Sequence, residues 1–200
     1  MTIPPASLAD GGRQQPLRLV LAACGRRHAI TELMQAAAPA LAAALALPLR
    51  GLSCAEQPND AMAVLHAPTA DADSGWLAPL PLDPGLPLPG VGCWAEALGA
   101  WRQPSLLLLR GDELDTGRPA AAVALLRQWR VPLLGLVQWG APWCENERRD
   151  DGLPWLGWLP RPGEAPGNSS PQAEDQACRC LVEASPQALL RLRLARLDLA

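Results

Sequence analysis

The sequence predicts an α/β fold, a doubly wound and mostly parallel sheet in a single domain. The clearest sign lies between Pro104 and Gly140. Ser105 to Leu109 is a short apolar run, Gly111 to Gly117 is a polar turn with three acids, and Ala122, Leu125, Leu126 and Trp129 then recur at the spacing of one helix face. Val131-Pro132 stops that helix, and Leu133 to Trp139 is apolar for a strand's length. Such a unit joins parallel neighbours, because parallel strands need a long crossover. A second sign is the earlier strand and helix pair formed by Leu17 to Ala23 and Thr31 to Leu47. A third is one more apolar run, Leu153 to Leu159, after a charged loop.

Taken in order, Met1 to Pro16 reads as a disordered lead-in, since its proline, glycine and polar residues have no period. Leu17 to Ala23 is a buried strand and Cys24 to Ile30 a turn. The helix expected from Thr31 has Thr31 and Glu32 at its start and Pro39 inside, where proline kinks or divides it. Leu49 to Cys54 is a weaker strand and Ala61 to His66 another. Ala67 to Gly92 carries six prolines and reads as a long loop that is neither helix nor inner strand. Cys93 to Trp101 is a short helix, and the central unit follows. Ala141 to Gly152 is a charged loop. Pro160 to Asp175 reads as flexible, and the tail fits either a helix, with Leu190, Leu194 and Leu197 on one face, or an alternating strand, with helix preferred. The organisation is therefore a lead 1–16, an α/β domain 17–160 with a Pro-rich loop 67–92, and a segment 161–200 ending in that helix or strand.

A formal charge of −3 and a pI near 5.4 give no electrostatic reason to expect nucleic acid or an anionic membrane as partner. The longest apolar candidate, Ala36 to Leu49, is broken by Pro39 and Pro48, so no spanning helix is expected. The first residues lack the apolar core of a secretory signal, and a cytoplasmic location follows by default. A small-molecule or nucleotide ligand and a homodimer remain open. All 17 basic residues are arginine, and all 8 aromatic residues are tryptophan. Without lysine there is no Schiff-base, general-base or phosphate-binding lysine. The six cysteines contain no C-x-x-C pair and read as small apolar residues.

Ligands of doubly wound sheets sit outside the carboxyl ends of the strands. That rule nominates Cys24 to Thr31, His66 to Asp73, Gly111 to Arg118, and Gln138 to Trp143. Arg26, Arg27 and His28 precede a helix N-terminus, which favours phosphate or carboxylate, although such a run is also an ordinary solvated turn. Asp112, Glu113 and Asp115 stand where acids favour the helix dipole or bind metal. Cys24 at a helix start is a candidate thiolate nucleophile.

The order of the later pieces resembles a known family. Val131-Pro132-Leu133-Leu134-Gly135-Leu136-Val137, followed by Leu153-Pro154-Trp155-Leu156-Gly157-Trp158-Leu159-Pro160, is similar to the two strands of the dethiobiotin synthetases and their P-loop relatives. The likeness is close in the second half of the chain and holds in outline in the first. It implies a three-layer P-loop NTPase-like fold and an ATP- and Mg²⁺-dependent carbon-nitrogen ligase that carboxylates a diamine and closes a cyclic urea. It places the phosphate loop on Ala23 to Thr31, with Gly25, Arg26, Arg27 and His28 near the nucleotide and Thr31 on magnesium. It also puts Trp139 at the purine, His66 at a strand end, and Asp71 and Asp73 as further magnesium ligands. Ala29 and Ile30 stand where the family has glycine and lysine, the residues that wrap and neutralise the phosphates. The favoured expectation is a degenerate relative without phosphoryl transfer, acting as a binding or interaction module in biotin biosynthesis type chemistry. The alternative is an active dethiobiotin-forming ligase with an arginine-built phosphate site.

Overall fold

The computed structural model describes residues 16–54, 57–68, 74–114, 116–140, 143–164, 180–182 and 186–198. The expectations for most of the lead-in, for most of 160–175 and for Asp71, Asp73 and Asp115 lie outside these residues.

Five strands, β1 (Arg18–Ala22), β2 (Trp76–Pro79), β3 (Ser105–Arg110), β4 (Leu133–Trp139) and β5 (Trp155–Leu159), form one all-parallel sheet in the order β2-β1-β3-β4-β5. Val20 lies opposite Ser105, so β1 and β3 are parallel neighbours. The chain leaves β1 toward β2 on one side and returns to β3 on the other, which makes the carboxyl end of β1 a topological switch point. Single residue pairs extend the parallel pattern at both margins, Leu49 beside Leu77 and Cys180 beside Trp158.

Two apolar layers cover the sheet, which is why its strands read as continuous apolar runs rather than alternating ones. Leu19, Leu21, Leu106, Leu108 and Val137 face α1 (Arg27–Ala44) and α6 (Pro186–Asp198). Val20, Leu107, Leu109 and Leu136 face α2 (Pro58–His66), α3 (Trp94–Ala100) and α4 (Arg118–Gln128). Each fully buried leucine contributes about 1.5–3 kcal/mol relative to an exposed one. The short α5 (Glu145–Asp150) lies in the loop expected to be irregular.

Four expectations need correction. Ala61 to His66 is helix: Pro58 and Asp60 open it, and Ala61, Met62 and Leu65 share its buried face while Val64 is exposed. Of Leu49 to Cys54, only Leu49 pairs with the sheet. The Pro-rich stretch contains β2, tolerated because Pro79 ends a strand whose outer side meets only the Leu49 bridge. Finally, α1 starts four residues before Thr31 and runs unbroken past Pro39, which sits on its exposed side.

Side chains and caps stitch the amino-terminal end of the sheet. The Arg193 guanidinium of α6 donates to the carbonyls of Leu134 (2.7 Å), Pro154 (3.0 Å) and Trp155 (3.0 Å). Gly135 makes room for it, since a Cβ there would lie 2.7 Å from Arg193 Nη1 and 2.5 Å from Leu156 Cγ. Gln103, fully buried, donates from Nε2 to the carbonyls of Arg18 (2.8 Å) and Pro104 (2.9 Å). Its Oε1 is thereby left as acceptor for His66 Nε2 at 2.7 Å, which fixes the proton on that ring nitrogen. Helices α1, α3 and α4 all end in the same reverse turn, with Ala46, Arg102 and Arg130 at φ of 47°, 47° and 55°. After α4, for instance, Val131 N–H reaches the Leu126 carbonyl and Arg130 N–H the Arg127 carbonyl, both at 2.9 Å.

Candidate functional site

The carboxyl ends of β1 and β3 open onto a cleft of about 250 Å³. Gly25 and Arg26 of the turn after β1 and Ile30 of α1 line one side, and Arg110 at the end of β3, Glu113 and Arg118 at the start of α4 line the other. A second hollow of about 310 Å³ shares Cys24, Gly25 and Arg118 with the first and continues toward Asp83, Ala121 and Leu125. Gly25 thus stands on a saddle between a cationic recess and a more apolar one. Its φ of +139° excludes other residues on backbone grounds, although an added Cβ would meet nothing within 4 Å.

Asp83 closes this saddle. Its Oδ2 accepts the Gly25 N–H at 2.7 Å, and its Oδ1 accepts the Gly85 N–H at 2.8 Å in an Asx-turn. Leu80, Leu82 and Pro84 around it are buried, and the Pro84 carbonyl accepts the Ala95 N–H at 2.8 Å, so the carboxylate is carried on an anchored segment. Sequence reasoning did not find Asp83. The Asp83-Pro84-Gly85 turn is legible, but its reach across 58 residues to Gly25 is a tertiary fact.

The ion pairs are mostly exposed. Arg118 Nη1 lies 3.1 Å from Glu113 Oε1, and Asp112 Oδ1 is 3.2 Å from Arg110 Nε and 3.6 Å from Arg161 Nη2. Partial burial pushes the Asp112 carboxyl up, but the Arg110 hydrogen bond, with the charges of Arg110 and Arg161, outweighs it and holds the group below its ordinary value. Burial pushes the Cys24 thiol up to about 12, the Asp83 charge adds to this, and the Arg118 charge opposes it. The Cys54 thiol rises to about 11, again chiefly by burial, against the Arg27 charge. Burial therefore argues against a thiolate nucleophile at Cys24, because a neutral thiol is a poor nucleophile.

The remaining expected residues divide into those the fold gathers and those it separates. Gly25 and Arg26 line the cleft. Arg27 and His28 are exposed in the first turn of α1 and are not among the residues lining it. Thr31 lies in the second turn of α1, its hydroxyl donating to the Arg27 carbonyl at 3.0 Å. Trp139 is only 5% exposed and packs in the core layer under α1 and α6, so it offers no face to a base. His66 ends a helix, not a strand, and lies at the amino end of the sheet between Trp101, stacked at 5.4 Å, and Trp76, edge-on at 5.7 Å. That is the wrong end of the sheet for a partner of Gly25, because the misread segment Ala61 to His66 is helical. Trp143 and Trp155 meet edge to face at 5.9 Å, as loop packing.

The turn after β1 does not have the form of a phosphate loop. The helix has already begun at Arg27, leaving only Ala23 to Arg26 as turn where a phosphate loop needs successive free N–H groups before its helix. Among the described residues, no group of three or more His, Cys, Asp or Glu is placed to hold a metal ion. No helix among them is long and apolar enough to cross a membrane. In comparisons with known proteins, no family model and no curated protein sequence matches this chain.

Proposed function

We propose that this domain is a degenerate relative of the dethiobiotin synthetase-like P-loop enzymes, one that performs no phosphoryl transfer and acts as a binding or interaction module. The observation that carries the reading is the early start of α1. With residues 27–31 already helical, the Thr31 hydroxyl is spent on the Arg27 carbonyl, and Ile30, where the family's lysine falls, is buried at 1% exposure. Wrapping a triphosphate would require unwinding the first turn of a helix whose next residues are locked in the core. A small anionic group is the chemistry that Arg26, Arg110 and Arg118 would accept in the cleft.

A second reading is favoured by the same three arginines: an active ATP- and Mg²⁺-dependent ligase in which they replace the missing lysine. Phosphate release with ATP, Mg²⁺, bicarbonate and an aliphatic vicinal diamine decides between the two. The module reading expects release no faster than without protein. Release that depends on the diamine and disappears in Arg26→Ala would establish the ligase instead.

A further inference from the structure

We infer that Asp83 is the resident anion of the β1–α1 turn: its carboxylate fills the position at Gly25 that an external oxyanion would take, and keeps one out. The inference rests on reading this turn as a binding element rather than a catalytic one, and it adds how that element is closed.

Three features of the geometry support it. The Gly25 N–H stands in the turn after β1, and its 2.7 Å bond to Asp83 shows that the turn holds a negative oxygen in its present shape. The second carboxylate oxygen is committed to Gly85 at 2.8 Å, and buried Leu82 and Pro84 flank Asp83, so the group is fixed from both sides. The cationic side of the saddle lies beside it, since Arg26 lines the adjoining cleft together with Arg118, which is paired there with Glu113. An oxyanion approaching Gly25 would therefore meet favourable charge from the arginines and a like charge already seated on the Gly25 N–H. Two negative oxygens sharing one N–H at contact distance repel each other. The turn is thus an anion site whose occupant is covalently part of the chain.

The test is a titration with inorganic phosphate, following the Gly25 amide by ¹H–¹⁵N NMR in the wild-type protein, Asp83→Ala and Asp83→Asn. The wild-type Gly25 amide is expected to stay still. Asp83→Ala should give a saturable shift at Gly25 with phosphate bound at least about tenfold more tightly. Asp83→Asn, which keeps an acceptor but drops the charge, should gain less, and it serves as the readout if the alanine variant does not fold. A Gly25 amide that titrates alike in wild type and variants, or that responds in none of them, overturns the inference. ATP turnover by the wild-type protein would end the module reading, while Asp83 is scored separately by the difference between wild type and variants.

Discussion

The two ends of the sheet are built on different principles. At the amino end, buried and half-buried side chains bind strands and helices together: Arg193 spans three carbonyls of the β4 and β5 region, and Gln103 joins the starts of β1 and β3. At the carboxyl end the turns are exposed, the ion pairs stand in solvent, and one carboxylate on one glycine N–H crosses the switch point. The difference separates what folds the domain from what the domain can bind. Substitutions at the amino end should cost stability, and those at the carboxyl end should change ligand behaviour with the fold retained.

The largest expected effect is at the amino end. A Cβ at Gly99 would lie 1.7 Å from the carbonyl oxygen of Trp129, so Gly99→Ala must push α3 and α4 apart. It should cost about 3 kcal/mol or more in urea unfolding, and a loss under 1 kcal/mol would break the contrast between the ends. Arg193→Ala removes three charge-assisted hydrogen bonds and should cost about 2 kcal/mol, with faster amide exchange in α6. Exchange unchanged in that helix would show that Arg193 does not hold it.

Alkaline pH probes the carboxyl end. Cys24 and Cys54 keep their protons when folded up to about 12 and about 11, whereas the unfolded thiols lose theirs near 9.0. Between these values the folded state binds more protons, so stability should fall as pH rises above 9.0 and level off near 12. The chain has no lysine and no tyrosine, so beyond its six thiols few groups titrate in that window. A Cys24→Ala, Cys54→Ala double variant should flatten the profile from pH 9 upward. An equally steep decline in that variant would contradict the assignment.

Smaller effects sharpen the comparison. Arg130 holds a left-handed φ of 55°, and Arg130→Gly should stabilise the protein by about 1 kcal/mol through relief of that strain. Arg118→Ala breaks an exposed pair with Glu113 and should alter stability by less than about 0.5 kcal/mol.

How far the fold could be read in advance follows the same division. The central unit from Ser105 to Trp139 was legible because its apolar residues change period cleanly between strand and helix, and Pro132 and Gly111 mark its joints. Gly135 was visible as part of a family-like strand, but its physical reason, the passage of Arg193 and Leu156, depends on a residue 58 positions later. Ala61 to His66 failed because six apolar-rich residues fit either period, and the deciding Pro58 and Asp60 lie upstream of the run. β2 was hidden by prolines that an outer strand tolerates. At the site, the turn that holds Gly25 and Arg26 was nominated by the strand-end rule and the family resemblance, and it lines the cleft. Asp83, Arg110 and the burial of Trp139 came from strand order and packing, which local pattern does not encode.

Calorimetric titration with ATP and Mg²⁺ addresses the central claim, that the layered sheet is kept while its first turn lacks the means to hold a triphosphate. The account predicts no saturable heat in the wild-type protein at millimolar nucleotide. A saturable, magnesium-dependent heat that vanishes in Arg26→Ala would contradict it, because a turn with its helix already begun at Arg27 would then be gripping a triphosphate.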